Sequence, residues 1–319
     1  MQERLKILEL LAEGKLTAEQ ADLLLEALEE KSQPKGDGKA AWDRAAAELK
    51  SFGAQLSSVL TQSVSEIRRG LETNLTNLSF GDTLAVTYEH EFANDVERIR
   101  IESANGRIRV EQWSQPYIRM YVQADVRTDE QDKAKEILEQ AVQTTVIGND
   151  ASVRLLNRWD GAKIYGGRID LYVPEGLDRL ALHTKNGAIF IDHVNANNIL
   201  LETINGQIHV HHVNAQSLRT TTQNGGIQLH HAIQANSQEI YAESKNGAIA
   251  LRGLPSDVLL RGQAKSLMGI VQVSNPAYEV HYEQDRKNIC TFESDPQTES
   301  EASPISVYLE SKNGKISVQ

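Results

Sequence analysis

Two triplets of side chains repeat at an interval that could bring them together for metal binding. The triplets recur every nineteen residues and comprise His193, His212 and His231, and the residues that precede them, Asp192, His211 and His230. A neutral imidazole is the commonest protein ligand for a transition metal. If the chain between the histidines folds into identical stacked units, the sequence predicts a metal site in the first triplet. A polar column at a corner of the stack explains the same spacing without a metal.

The sequence gives little indication of other chemistry. Protonation of neighbouring imidazoles would accumulate like charge, so a histidine column is also expected to respond mildly to pH. The sequence contains no G-x-S-x-G, P-loop or H-E-x-x-H motif and no pair of carboxylates in a distinctive context. We therefore predict that the protein is not an enzyme and that it uses no cofactor.

The histidines lie within a longer repeat that must position them. Seven copies follow the pattern S/T-x-N-G-x-I/V-x-V/I/L, and they begin at Ser103, Thr184, Thr203, Thr222, Ser244, Ser266 and Ser311. Met268 replaces the asparagine in the sixth copy. The other six copies keep the turn pair, namely Asn105 and Gly106, Asn186 and Gly187, Asn205 and Gly206, Asn224 and Gly225, Asn246 and Gly247, and Asn313 and Gly314. A repeat with so many fixed positions indicates one structural unit used several times.

Two structures explain the repeated Asn-Gly pair. Asn-Gly favours a type I′ hairpin, whose central residues both need a positive φ. If the turn lies inside a stack, Gly206→Val is expected to force a β-branched residue into a strained positive φ and to destabilise the fold by more than about 1 kcal/mol. A hairpin, however, requires neither the preceding hydroxyl nor a fixed period. Stacked coils about 4.8 Å apart explain both, because hydroxyl and amide side chains form ladders while aliphatic residues fill a core. We predict a β-solenoid over about residues 167–319, with an antiparallel sandwich as the alternative.

Composition and periodicity divide the chain into four parts. Leucines at helical spacing, a glycine and a capping box predict a helical hairpin at residues 1–31, followed by a linker at 32–39. Apolar steps of mostly three and four residues predict an amphipathic helix at 40–79. From residue 83 to 319 the apolar period changes to two, which predicts a β domain. A helical insert at 129–142 is expected to cap the open end of the solenoid.

Charge and apolar surface indicate the class of partner. The polar face of the helix at 40–79 carries both signs of charge, whereas helices on a membrane surface are usually dominated by Lys and Arg. We therefore predict coiled-coil or intramolecular packing and self-association through residues 1–79, with peripheral membrane contact as the alternative. The net charge of −11 argues against nucleic acid as a partner.

Localisation is predicted from the N-terminus, the apolar runs and the cysteine content. Charged residues interrupt the leucines near the N-terminus, so no signal peptide is recognisable there. No run of eighteen apolar residues occurs, which argues against a transmembrane helix. Cys290 is the only cysteine, which fits a reducing compartment. These features predict a cytoplasmic protein, with a peripheral position at the membrane as the alternative.

The repeat resembles the putative-adhesin β-strand-repeat domains of bacteria, with the phrase LYVPEG at residues 171–176 just before the tandem copies. The segment ILELLAEGKLTAEQADLLLEAL at residues 7–28 is similar to the SHOCT-like helical hairpin of YvlB- and LiaX-type proteins from Gram-positive bacteria. The resemblance implies a right-handed β-helix and a link to the cell-envelope stress response, in which LiaX-type proteins are associated with sensing membrane-active peptides. It implies no catalytic residues.

The residues and the resemblance together predict a mainly β protein that acts as an interaction scaffold. Protein partners are expected on the extended surface of the solenoid, in envelope-stress sensing or regulation. The alternative is a carbohydrate-binding or carbohydrate-active β-helix, which requires two or more carboxylates in a cleft on one solenoid face.

Overall fold

The computed structural model covers the predicted β domain. The described residues are 83–255, 258–283, 287–294 and 303–319. Within them the chain forms 22 strands and one helix, so the prediction of a mainly β fold is confirmed. This part of the chain has no helix with the length and apolarity needed to cross a membrane. The hairpin, linker and amphipathic helix predicted before residue 80 lie outside the described residues.

Two sheets of eleven strands each form the domain, and the strands are numbered in chain order. The first sheet has the spatial order β1 (Thr83–Glu91), β4 (Arg119–Arg127), β8 (Ala162–Val173), β3 (Ile108–Gln112), β10 (Ile189–Asp192), β12 (Ile208–His211), β14 (Ile227–His230), β16 (Ile249–Arg252), β22 (Ile316–Val318) and β18 (Val271–Val273). The short strand β7 (Arg158–Trp159) pairs only with β8.

The second sheet faces the first across the core. Its spatial order is β19 (Tyr278–Tyr282), β20 (Ile289–Ser294), β17 (Leu260–Ser266), β21 (Ile305–Ser311), β15 (Glu239–Ser244), β13 (Ser217–Thr222), β11 (Ala196–Thr203), β9 (Leu177–Asn186), β2 (Arg98–Asn105), β6 (Asp150–Leu155) and β5 (Val142–Ile147). Consecutive strands from β9 to β16 therefore alternate between the two sheets.

Each repeat is one coil with a strand in each sheet. In a typical coil, β11 ends before the turn at Asn205 and Gly206, β12 follows in the first sheet, and a corner at His212 leads to β13. Ile208 and Val210 are buried, whereas the residue between them lies on the outer face, because side chains alternate along a strand. The aliphatic residues of successive coils form one continuous core between the sheets.

The coils pair in parallel and in register, so the antiparallel sandwich that was the alternative prediction is wrong. Ile189 pairs with Ile208 and Ile208 pairs with Ile227, and the second sheet follows the same scheme. The stack also starts earlier than the predicted residue 167, because β2 and β3 pair in parallel with β9 and β10. The first copy of the repeat therefore belongs to the stack, although a long segment separates it from the second. The right hand of the winding stays a prediction.

The last copy of the repeat does not follow the sixth copy in space. β22 lies between β16 and β18, and β21 lies between β15 and β17, so the C-terminal coil is inserted between two earlier coils. The prediction that successive copies stack one above the next is therefore wrong at this end. The asparagine pattern gives a physical reason. Asn313 extends a side-chain ladder from Asn246, whereas Met268 has no amide and occupies the terminal coil.

The helical insert closes the opposite end of the stack. α1 (Gln131–Ala141) has Glu130 as its N-cap, without a side-chain capping hydrogen bond, so the predicted start at residue 129 is wrong. Helical spacing predicts its buried face, which consists of Ala134, Ile137, Leu138 and Ala141. The helix packs against β1, β4 and β5, which lie at the N-terminal edges of the two sheets. It therefore covers apolar side chains that the first coils would otherwise expose.

Antiparallel strands β19 and β20 extend the second sheet beyond the last coil. Phe292 of β20 is fully buried and lies over Gly262 of β17, where a Cβ atom would overlap the phenyl ring. Tyr278 meets the same ring edge-on, with the ring centroids 6.2 Å apart. An aromatic ring over a strand glycine fills the space that the absent side chain leaves. This cluster seals the C-terminal end of the core.

Candidate functional site

The Asn-Gly turns build one polar edge of the stack. From Asn186 onward, each asparagine donates a hydrogen bond from Nδ2 to Oδ1 of the asparagine in the neighbouring coil, at N···O distances of 2.7–2.9 Å, and Asn105 accepts the first of these bonds. The ladder runs through Asn105, Asn186, Asn205, Asn224, Asn246 and Asn313. It ends at the coil of Met268, whose side chain is 77% exposed. The structure thus brings all six predicted turn asparagines together in one row.

Close approach of the backbone explains the glycines of these turns. Gly206 has no positive φ, so the predicted type I′ geometry is wrong there, as is the strain predicted for Gly206→Val. A Cβ atom at Gly206 would instead overlap the carbonyl oxygen of Gly187 in the neighbouring coil. The same overlap with a glycine of the neighbouring coil arises at Gly187, Gly225, Gly247 and Gly314. Among the six turn glycines, only Gly106 has a positive φ, of 109°.

From Thr184 onward, the hydroxyl two residues before each turn asparagine donates to the backbone of the neighbouring turn, whereas Ser103 Oγ donates to the Asn105 carbonyl oxygen in its own turn. Thr203 Oγ1 donates to the Gly187 carbonyl oxygen at 2.9 Å, and Thr222 Oγ1 donates to the Gly206 carbonyl oxygen at 3.0 Å. The predicted hydroxyl ladder is therefore wrong, because each hydroxyl meets a carbonyl group rather than another hydroxyl. Both threonines are buried, so these bonds satisfy polar groups that water does not reach.

The opposite corner of the coils carries the histidines, and its backbone is left-handed. His193, His212 and His231 have φ values of 50°, 47° and 50°. Histidine is one of the few non-glycine residues enriched in this region, although the conformation costs on the order of 1 kcal/mol or more. Gly253 continues the column in the next coil, with a φ of 67°. The residue after each of the three histidines is buried, so the turn places the imidazole outside and returns the chain to the core.

The imidazoles form two adjacent columns. In the first column His193 stacks on His212 and His212 stacks on His231, with ring centroids 4.7 and 4.6 Å apart. In the second column His211 stacks on His230 at 5.1 Å. The columns meet edge to face, with the centroids of His211 and His212 4.1 Å apart. The stacking of the coils therefore concentrates five imidazoles at one corner.

Asp192 precedes His211 in the second column and lies between two imidazoles. Its Oδ1 atom is 2.9 Å from His193 Nδ1 and 2.8 Å from His211 Nδ1. His212 Nδ1 is 3.2 Å from His211 Nδ1. One donor atom from each of these four side chains lies within 4.8 Å of the others, and His231 is not part of this group. The structure thus gathers two of the three predicted ligands together with Asp192 and His211, which the predicted site did not include.

The electrostatic environment favours the metal-binding forms of Asp192 and His212. Burial raises the pKa of Asp192, but the hydrogen bond with His211 and the proximity of His193 outweigh it, so this pKa lies below its ordinary value. Desolvation, followed by the charges of the neighbouring imidazoles, lowers the pKa of His212. The same two causes lower the pKa of His230. An ionised carboxylate and a neutral imidazole are the forms that bind a metal ion.

The outer face of the second sheet carries two ordered rows of side chains. The first row is Leu200, Arg219, Tyr241 and Tyr308, and the second row is Glu202, Thr221, Glu243 and Glu310. The guanidinium of Arg219 lies 4.2 Å from the centroid of the Tyr241 ring, and the Tyr241 hydroxyl donates to Glu243 at 2.7 Å. Burial, together with this hydrogen bond, raises the pKa of Tyr241 to about 12. We refer to these eight residues as the tyrosine face.

A groove of about 320 Å³ lies at the N-terminal end of the tyrosine face. Three arginines, Arg98, Arg100 and Arg179, line it together with Asp150 and Glu202. Arg98 binds both carboxylate oxygens of Asp150, at 2.5 and 2.9 Å, and this hydrogen bonding lowers the pKa of Asp150. The general acid of a glycosidase needs a raised pKa instead. Asp150 is therefore poorly suited to the carbohydrate cleavage considered as the alternative function.

The sequence of this chain matches two known families. Residues 96–288, more than half of the chain, match the family described as Toastrack DUF4097. The chain belongs to the Toastrack DUF4097 family. Residues 2–33 match a second family, which is described as a SHOCT-like domain. The family resemblance of the repeat and of the N-terminal segment is thereby confirmed.

Relatives of this Toastrack chain include the uncharacterized protein YvlB of Bacillus subtilis (strain 168), which is 28% identical over 210 residues. That match covers 61% of this chain and 55% of the relative, so the chain spans about half of the relative's length. Two solved structures are similar to this chain, and each similarity extends over 74% of its residues. A putative cell adhesion protein from Clostridium sporogenes ATCC 15579 is 12% identical over 99% of its length, with a TM-score of 0.43. A putative adhesin from Bacteroides fragilis NCTC 9343 is 13% identical over 97% of its length, with a TM-score of 0.38.

Proposed function

We propose that this protein is a non-enzymatic interaction scaffold in bacterial cell-envelope stress sensing or regulation, and that a protein partner binds the tyrosine face. The observation that carries the proposal is the register of the second sheet, which aligns two tyrosines beside a row of glutamates. The stacked and hydrogen-bonded coils hold these side chains in place before a partner arrives, which lowers the entropy cost of binding. The resemblance to YvlB- and LiaX-type proteins supports the link to envelope stress.

The chemistry of the tyrosine face favours a cationic, amphipathic partner segment. Tyr241 and Tyr308 present aromatic rings, which are enriched at protein interfaces, and Leu200 adds an apolar side chain on the far side of Arg219 in the same row. Glu243 and Glu310 lie beside the tyrosines and attract Lys and Arg side chains. A segment with basic residues next to apolar residues complements both rows. Cationic amphipathic peptides, which also act on membranes, have this composition.

Residues 1–79 supply a second element of the proposal. The hairpin at 1–31 and the helix at 40–79, joined by the linker at 32–39, are proposed to self-associate and to display several β domains together. The SHOCT-like match at residues 2–33 supports a separate N-terminal module. The predicted mixed charge of the helix favours protein contacts in the cytoplasm, and peripheral contact with the membrane is the alternative.

Binding to the tyrosine face can be measured with the full chain and a labelled cationic amphipathic peptide. We expect the combined Tyr308→Ala and Glu310→Lys substitutions to raise the Kd at least about tenfold, because they remove an aromatic anchor and reverse a charge. Gln228→Ala, at an exposed position of the first sheet, is the matched control and should leave the Kd unchanged. Fluorescence anisotropy reports both values. Equal affinities for the wild-type chain and the double variant would contradict the proposed surface.

The envelope-stress role requires a separate measurement in cells. We expect deletion of the gene to alter the induction of an envelope-stress reporter by a cationic peptide. The wild-type chain and Gln228→Ala should restore the response, and the double variant of the tyrosine face should not. Normal induction in the deletion strain would contradict the stress role while leaving the binding result intact.

A further inference from the structure

Four donor atoms converge at the histidine corner with spacings close to those of a metal site. The Asp192 Oδ1 atom lies 2.9 Å from His193 Nδ1 and 2.8 Å from His211 Nδ1. His211 Nδ1 lies 3.2 Å from His212 Nδ1. Ligand atoms around a tetrahedral zinc ion, each about 2.0–2.1 Å from the metal, lie roughly 3.3 Å from one another. These three separations are shorter than this value by at most about 0.5 Å, and all four donor atoms lie within 4.8 Å of one another.

We propose that Asp192, His193, His211 and His212 bind a divalent transition metal ion. Three imidazoles and one carboxylate suit borderline cations such as Zn²⁺, which proteins bind tetrahedrally through histidine nitrogen and carboxylate oxygen atoms. The four side chains come from two adjacent coils, whose strands β10 and β12 pair in register along their full length. Asp192 is 41% exposed, His211 46% and His193 66%, so an ion can enter and the rings can turn toward it.

Charge places the ion at the N-terminal end of the two columns. The Asp192 carboxylate supplies a negative charge that offsets part of the charge of a divalent cation. At the other end, Arg252 of β16 is the strand partner of His230 in β14, and the positive charge of its guanidinium group opposes the binding of a cation there. His231 stacks on His212 but lies outside the group of four donors. The proposed site therefore occupies the first two of the three coils predicted by spacing alone and uses both columns, and His231 is not one of its ligands.

The backbone gives an independent reason to assign a role to these histidines. His193 and His212 occupy left-handed corners at a cost in conformational energy. Gly253 occupies the equivalent corner in a later coil, so the fold does not itself require histidine at this position. Residues held in sparsely populated conformations are concentrated at binding and active sites. Metal binding accounts for this strain at His193 and His212, whereas His231, with a φ of 50°, shares the conformation and stacks on His212 without belonging to the four donors.

Matched variants separate metal binding from effects on the turn. His212→Asn and His231→Asn change the same left-handed position in adjacent coils, and asparagine tolerates positive φ as histidine does. Of these two histidines, only His212 belongs to the proposed site. Asp192→Asn removes the carboxylate charge without changing a left-handed residue.

Zinc binding to the untagged, metal-free full chain is measured by isothermal titration calorimetry. We expect one zinc ion per chain, with an affinity at least about tenfold lower in His212→Asn and in Asp192→Asn, and within about twofold of wild type in His231→Asn. Cobalt should give the visible spectrum of a tetrahedral ion in the wild-type chain and lose it in the first two variants. Magnesium, which prefers oxygen ligands, should not compete.

Two results would overturn the proposal. The first is that the wild-type chain binds no zinc. The second is that His231→Asn and His212→Asn lose zinc affinity equally. Thermal unfolding of the metal-free proteins shows whether each variant is folded. If His212→Asn is unfolded, Asp192→Asn decides, and an unchanged zinc affinity in that variant would also overturn the proposal.

Discussion

We expect Gly225→Ala to lower the free energy of unfolding by about 3 kcal/mol or more, whereas Gly226→Ala should change it by less than about 1 kcal/mol. The two residues are neighbours, and neither has a positive φ. A Cβ atom at Gly225 would overlap the carbonyl oxygen of Gly206, so the two coils would have to separate. The same atom at Gly226 would lie 3.3 Å from the Ala248 carbonyl oxygen, a tight contact that small shifts relieve.

Denaturant unfolding of the two variants measures this difference under identical conditions. Gly225 lies in the middle of the stack, so separating its coil from the next exposes apolar side chains on both sides of the gap. The Gly226→Ala chain controls for the entropy that any Gly→Ala change removes from the unfolded state. If both variants were equally stable, close packing of the turns could not be the reason for the repeated glycine.

Phe292→Ala is expected to lower the free energy of unfolding by about 3–5 kcal/mol, because it removes a fully buried ring from the C-terminal end of the core. Thr291→Ala, at the exposed neighbouring position of β20, should change it by less than about 0.5 kcal/mol. Gly262 provides a second test, because a Cβ atom there overlaps the ring of Phe292. Gly262→Ala should therefore cost more in the wild-type chain than in the Phe292→Ala chain.

The double-mutant cycle distinguishes local packing from a general loss of stability. A favourable coupling means that removal of the ring makes room for the new methyl group at Gly262. Additive effects of Gly262→Ala and Phe292→Ala would show that the two positions do not meet. That outcome would contradict closure of the core by β20.

The period of the repeat is enough to predict coils, but it does not determine their order. Alternation of apolar residues indicates correctly which side chains enter the core, as at Ile208 and Val210. Every copy presents nearly the same hydroxyl, amide and aliphatic groups, so any two copies are compatible neighbours. The insertion of the C-terminal coil depends on contacts between distant segments. Met268 is the one local signal, because a residue without an amide ends the ladder and suits a terminal coil.

The turns show how a motif can be located correctly and explained by the wrong cause. Glycine is required both where φ is positive and where another backbone passes close by. Sequence alone does not distinguish these cases, because both select the same residue. Gly106 has both a positive φ and a close carbonyl group, that of Gly167, whereas Gly206 is restricted by the Gly187 carbonyl group alone. Only the spacing of the coils separates the two explanations.

The histidine columns follow from the sequence, but the group of donor atoms does not. A spacing of nineteen residues places His193, His212 and His231 in one column. The donor atoms converge across the two columns instead, because Asp192 lies between His193 and His211. The left-handed corner determines where the imidazoles of His193 and His212 point. Nothing in the local sequence pattern predicts a positive φ at these histidines. Asp192 could have been included from its position in the second column, as the one carboxylate beside the imidazoles.

The order of the coils is the central claim of the structure, and engineered cysteines test it directly. In a Cys290→Ala background, Ala250→Cys with Ser317→Cys places two thiols on paired residues of β16 and β22, within reach of a disulfide. Ala250→Cys with Gln272→Cys places the thiols on β16 and β18, which lie two strand spacings apart, roughly 10 Å. These two residues would be direct neighbours if the copies stacked in chain order.

Disulfide formation after mild oxidation is measured by non-reducing electrophoresis and by mass spectrometry of the intact chain. Insertion of the C-terminal coil predicts efficient cross-linking between positions 250 and 317 and little cross-linking between positions 250 and 272. The reverse result, with efficient cross-linking between positions 250 and 272 and little between 250 and 317, would contradict the structure.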